Sequence, residues 1–161
     1  MTPKKLLDIF GIRQASIRKP VGGSQQATVA ITVTASKKML QEVVVFKGKG
    51  KAPRIWKEIT KYAELFGGNG VYTTQANAWM DEGVMFLWAQ DVLKLYVSLA
   101  PRRVHPVLLL DSYRCHLMAS VVSQIEALGV TVLHIPPSYR PLCQPINIGV
   151  CKPVKTKVKF S

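Results

Sequence analysis

An apolar run, Val107 to Leu110, ends on Asp111 in the segment LLLDSYRCH, and at that junction chemistry in this chain would begin. A carboxylate at the carboxyl end of a buried parallel strand stands where backbone pairing stops and a crevice opens. A second β-branched run, VTVLHIPP, leads into CQPINIGVCKPVK and delivers a loop carrying Asn147 to the same edge. Two strands and the loops after them therefore frame a candidate site. The plainer role for Asp111 is that of a turn or helix N-cap residue closing the strand, which needs only a short side chain that accepts backbone N–H groups. His116, five residues on, is placed to face that site or a phosphate, and the alternative for it is a hydrogen-bond partner that holds the strand end. Cys115 beside it suggests a Cys–His nucleophile pair. Adjacent residues point apart on a helix or strand and no orienting acid is apparent, so that chemistry is set aside.

The cysteines offer no other site. Cys115, Cys143 and Cys151 are odd in number and lack a Cys-x-x-Cys spacing, which indicates neither a disulfide framework nor a zinc knuckle and fits a reducing compartment. The charge is more telling. With 22 Lys and Arg against 9 Asp and Glu, the net charge of +13 favours a polyanionic partner through phosphate neutralisation and counterion release. Two stretches concentrate it. Between Lys37 and Lys61 eight basic residues, Lys47, Lys49, Lys51 and Arg54 among them, face only Glu42 and Glu58. From Lys152 to Lys159 four lysines, including Lys152, Lys155 and Lys157, alternate with apolar residues and meet no acid. Both stretches suit the phosphate backbone of DNA, and the bland alternative is a solvated basic face. Neither supplies base readout, and no helix-turn-helix pattern accompanies them.

The elements that must position these residues follow from periodicity. At 161 residues and 48% hydrophobic content the chain suits one domain with a sizeable core. TVAITVTA (28–35) and EVVVFKG (42–48), separated by SKKMLQ, predict an antiparallel strand pair. KGKGKAPRIWKEITK (47–61) has the composition of an exposed loop, and GGNG (67–70) marks a turn. In NAWMDEGVMFLWAQDVLKLYVSL, apolar residues at Trp79, Val84, Leu87, Trp88, Val92 and Leu95 recur at helical spacing, with Asp81 and Glu82 near the start. That predicts one amphipathic helix, or two, with Trp79 and Trp88 as core packing rather than base-stacking platforms. Strand HPVLLLDS, a helix through MASVVSQIEAL closed by Gly129, and strand VTVLHIP make a right-handed crossover between parallel strands. The whole is an α/β chain with a mixed sheet. No apolar segment is long enough for a signal peptide or a membrane span, so no membrane role is expected.

Four segments in order resemble the DDE superfamily endonucleases, the pogo- and mariner-like DNA transposases. They are the strand pair IRKPVGGSQQATVAITVTA and VVVFKGKG, the QxxxWM segment at Gln75, Trp79 and Met80, the LLLDSYRCH strand, and QPINIG (144–149), which reads like the family's QPxDxG motif. The resemblance implies a ribonuclease H-like mixed sheet with flanking helices and a single catalytic-core domain over 1–161. It further implies two Mg²⁺ or Mn²⁺ ions held by three carboxylates for in-line phosphoryl displacement on DNA, and a nuclear location. By family position Asp111 is the second acid and a metal ligand, and Asn147 occupies the third. The usual first-acid motif is not found, so the domain is expected to be incomplete at its N-terminus, Asp8 being the one acid before Glu42. Asn147 offers a neutral carbonyl where a hard cation wants an anionic oxygen, so cleavage is expected to be degenerate or lost. The alternative is a domesticated, non-enzymatic DNA-binding or chromatin protein.

Overall fold

A computed structural model describes residues 6–10, 14–18, 24–36, 38–49, 57, 60, 70–101 and 104–139, the first two strands by their backbone alone. Strands β1 (Leu6–Phe10), β2 (Gln14–Arg18), β3 (Ser24–Thr34), β4 (Val43–Lys47), β5 (Val71–Gln75), β6 (Val107–Asp111) and β7 (Thr131–Ile135) form one seven-stranded sheet. Its order is β5-β4-β3-β1-β6-β7. β2 pairs with the first part of β3, from Ser24 to Thr28, and β1 with the last part, from Ile31 to Thr34. β3 runs antiparallel to β1, β2 and β4, while β5 is parallel to β4, and β6 and β7 are parallel to β1 and to each other. Every described strand except β3 therefore points the same way, and the loops after β4, β5, β6 and β7 leave from one edge.

The predicted strand pair is β3 and β4, with Val29 opposite Val44. The Thr34 and Leu40 N–H groups continue the ladder past the strand ends by donating to the Lys38 and Thr32 carbonyls at 2.8 and 2.9 Å. Alternation sets the faces. Ala30, Val43, Val45, Leu108 and Leu110 are buried and meet the helices, while Ile31, Val33 and Leu109 gather with Ile135 on the opposite side. Thr28 and Thr32 also lie on the helix-facing side, and their hydroxyls are used. Thr28 Oγ1 donates to the Ala78 carbonyl at 2.6 Å, and Trp88 Nε1–H donates to Thr32 Oγ1 at 3.1 Å.

The helical stretch is α1 (Glu82–Trp88), a π-helical turn (Ala89–Leu93) and α2 (Lys94–Ser98). Asp81 caps it, its Oδ1 accepting the Val84 N–H at 3.0 Å, and Glu82 follows where a carboxylate favours the helix dipole. Val84, Trp88 and Val92 are buried as the spacing predicts, Leu87 is half-buried against the core, and Met85 and Leu93, outside the predicted set, are buried with them. Two of the periodic residues behave otherwise. Trp79 precedes the helix and is 53% exposed, so it is not core packing; Leu95 is 52% exposed. The π turn explains Leu95. One extra residue in the turn shifts the phase by about 100°, so the position three beyond Val92 rotates outward and Tyr96 takes its place against the core.

The crossover has the predicted form. α3 (Ala119–Glu126) buries Val121 and Ile125, and Gly129 at φ +78° ends the turn that follows, a backbone conformation glycine adopts without strain. β6 and β7 then pair in parallel, Asp111 beside Ile135. Two readings need correcting. VYTTQ is strand β5, for which the β-branched and aromatic run Val71 to Thr74 was a signal at odds with a turn leading straight into a helix. Within 47–61 the backbone is helical at Lys57 and Thr60, so that stretch is not loop throughout.

Candidate active site

β6 carries Asp111 to the edge of the sheet and leaves it 5% exposed. A buried carboxylate needs partners, and the turn after the strand supplies them. Asp111 Oδ1 accepts the Tyr113 N–H at 3.1 Å and the His116 Nδ1–H at 2.7 Å. His116 lies on a short 3-10 turn (Arg114–Leu117), is 1% exposed, and has the Asp111 carbonyl 3.2 Å from the same Nδ1. Both neighbours of Nδ1 are acceptors, which assigns the ring proton to that nitrogen. The Tyr113 ring meets the imidazole edge-on with centroids 5.8 Å apart. These bonds give Asp111 the plainer of the two roles that the sequence left open, that of a residue closing the strand. Its carboxylate holds the turn, and it stands at the carboxyl edge of a parallel strand, where metal-binding carboxylates are themselves oriented by hydrogen bonds of this kind.

Three residues that sequence pattern did not single out complete the arrangement. Ser112 Oγ donates to the Ile135 carbonyl at 2.6 Å and fastens the end of β6 to the end of β7. His134 Nε2–H donates to the His116 carbonyl at 2.9 Å and braces the 3-10 turn from β7. Tyr113 contributes its N–H and its ring. Ser112 follows a strand-ending acid and His134 interrupts an apolar strand; those were the available signals. Cys115 is buried beside His116, and burial, reinforced by the charges of Asp111 and Asp81, pushes its thiol up from 9.0 to about 12. An orienting acid is present after all, since Asp111 holds His116. The protonated, inaccessible thiol still rules out the nucleophile pair. Burial, together with the charges of Cys115 and Asp111, also raises the Tyr113 phenol.

Asp8 of β1 pairs in register with Leu109 of β6 and with Val33 of β3. Its position therefore has the same parity as Asp111, which lies two residues farther along the neighbouring parallel strand. Lys47 and Lys49, at the end of β4 and just beyond it, are exposed. Asn147, Lys51, Arg54, Lys152, Lys155 and Lys157 lie outside the described residues.

This mixed α/β sheet, with an acid at the end of a parallel strand, is compatible with a DDE nuclease fold. The family model for the DDE superfamily endonuclease matches residues 24–160, most of the chain, and the protein belongs to that family. No curated protein matches the chain. Members of this family act on DNA and typically use divalent metals. Among the described residues no group of three or more His, Cys, Asp or Glu is gathered to hold an ion, and the QPINIG position, outside them, carries an amide where a hard cation wants a carboxylate.

Proposed function

We propose that this chain is a transposase-type DDE core of the pogo/mariner kind, ribonuclease H-like in architecture, that binds the phosphate backbone of DNA and has lost efficient strand cleavage. The observation that carries the reading is the juxtaposition of β1 and β6, two parallel neighbours bearing Asp8 and the buried Asp111 near one edge. The strand order β4-β3-β1-β6-β7, antiparallel in its first half and parallel in its second, supports the ribonuclease H-like assignment. Asp8 is the natural candidate for the first acid, which leaves Asn147 as the defect. An amide offers a carbonyl oxygen but no charge, so the carboxylates that remain would hold a hard cation less tightly beside the phosphate. A nuclear location accords with a DNA substrate.

The test is nicking of supercoiled plasmid with Mg²⁺ or Mn²⁺. The wild-type chain is expected to bind the plasmid without nicking it. Asn147→Asp is expected to restore nicking that disappears on adding Asp8→Asn or Asp111→Asn. Efficient wild-type nicking abolished by Asp111→Ala would overturn the loss of function. Persistent inactivity of Asn147→Asp, with DNA binding intact, would mean that Asp8 is not the first acid and would favour the domesticated DNA-binding reading.

A further inference from the structure

The residue least explained by the fold is Trp79. A large aromatic side chain normally contributes to a core, yet this one is 53% exposed between two buried neighbours, Ala78 and Met80. The backbone that presents it is held against its own preference. Ala78 has φ +55°, the left-handed region that a residue with a Cβ seldom enters, and it is the one described non-glycine residue that does so. Four hydrogen bonds keep it there. The Ala78 N–H donates to the Gln75 carbonyl at 2.9 Å, and Thr28 Oγ1 donates to the Ala78 carbonyl at 2.6 Å. Gln75 Oε1 accepts the N–H groups of Asn77 at 2.7 Å and Trp79 at 3.0 Å. Strain this thoroughly secured marks a conformation the fold is built to hold. A plain link from β5 to α1 needs no exposed indole at its tip.

Gln75 also ties this turn to the basic end of β4. The parallel register sets Lys47 beside Gln75, and the Gly48 N–H donates to the Gln75 carbonyl at 3.0 Å. Lys47 and Lys49, both exposed, flank that contact. One residue thus fixes a rigid, outward indole on one side and two cations on the other, at the sheet edge that also carries Asp111. Aromatic faces next to a positively charged track are what bind unpaired bases with their phosphates. A base in a duplex is already stacked and offers no free face.

Resting on the nucleic-acid-binding reading above, we infer that Trp79 is a stacking platform for an unpaired nucleobase, with Lys47 and Lys49 on the phosphates beside it. The chain then prefers single strands to duplex at this edge.

The experiment measures fluorescence anisotropy of the full chain with a labelled oligothymidylate, the matching oligouridylate and a mixed duplex of equal length, and follows quenching of intrinsic indole emission. The wild type is expected to bind the single strands more tightly than the duplex and to lose indole emission on binding. Trp79→Ala should weaken single-strand binding about tenfold, leave duplex binding unchanged and abolish the quench. Trp79→Phe should retain most of the affinity. Lys47→Gln with Lys49→Gln should weaken both ligands. The two oligonucleotides report whether DNA or RNA is the better source of the base. Unchanged single-strand affinity in Trp79→Ala, an equal loss on single strand and duplex, or no quench in the wild type would overturn the inference. Wild-type binding to the duplex with any of those results leaves the general DNA reading standing. No binding to either ligand would overturn both.

Discussion

The carboxylate of Asp111 is buried, and its burial is tolerable because His116 Nδ1–H and the Tyr113 N–H both reach Oδ1. Removing His116 takes one hydrogen bond from a buried carboxylate that keeps the Tyr113 N–H, at a cost of about 2 kcal/mol. His116→Ala should therefore lower the urea-unfolding free energy by about that amount, while His116→Asn, whose amide also donates, should recover part of it. A His116→Ala protein as stable as wild type would mean that the pair is not closed in solution. Cys115 supplies a second residue-scale test, with the sign set by its raised thiol. A group whose folded pKa lies above the unfolded value contributes stability that is complete below the unfolded value and is lost as pH climbs toward the folded one. For Cys115 that window runs from 9.0 to about 12. Denaturation midpoints measured from neutral pH upward should fall more steeply across that window in wild type than in Cys115→Ala. Tyr96, raised by burial alone, contributes equally to both proteins, and Tyr113, which the Cys115 charge helps to raise, changes in the same direction as the thiol, so parallel curves would refute the assignment.

The helix that follows β5 shows how far a periodic pattern reaches and what stops it. Asp81 is its N-cap, and Asp81→Ala should cost about 1 kcal/mol in thermal or urea unfolding, because the Val84 N–H loses its acceptor. A change below a few tenths would indicate that water replaces the cap without loss. The cap, the buried face from Val84 to Val92 and the β6–α3–β7 crossover were all legible, since each is written in local spacing. Leu95 was not, because the π turn at Ala89–Leu93 changes the phase without leaving a mark in residue type. Trp79 was not either. Its exposure depends on the left-handed Ala78 and on a hydroxyl from Thr28, fifty residues upstream. At the candidate site Asp111 was evident from the strand it ends. Its bond to His116 depended on a 3-10 turn that folds five residues back onto the strand end, and no period encodes that turn. The neighbourhood of Asp8 and Asp111 depended on a long-range pairing of β1 with β6, which β-propensity does not specify.

At the scale of the molecule, charge and topology act together. A net charge of +13 predicts counterion release on any polyanion, but the fold decides where that charge counts. Because every described strand except β3 points one way, Lys47 and Lys49 leave the sheet at the edge where Asp111 and the turn bearing Trp79 also emerge. Lys94 is equally exposed but sits elsewhere. The helical stretch starts after β5 at that edge and runs back toward the amino end of β6, so Lys94, twelve residues beyond Glu82, is about 18 Å along the helix from its start. If the common edge is the DNA-binding surface, the two positions differ in effect although they carry the same charge. Duplex affinity measured across a salt series should fall with a log–log slope shared by unrelated sequences, since lysines on phosphates read no bases. Lys47→Gln with Lys49→Gln should reduce that slope by about 2, one for each phosphate left without its lysine, whereas Lys94→Gln should leave it within error. Equal effects at both places would mean that the chain binds through its overall charge and that the sheet edge has no privileged role. A slope unchanged by the double substitution would move the DNA to another face.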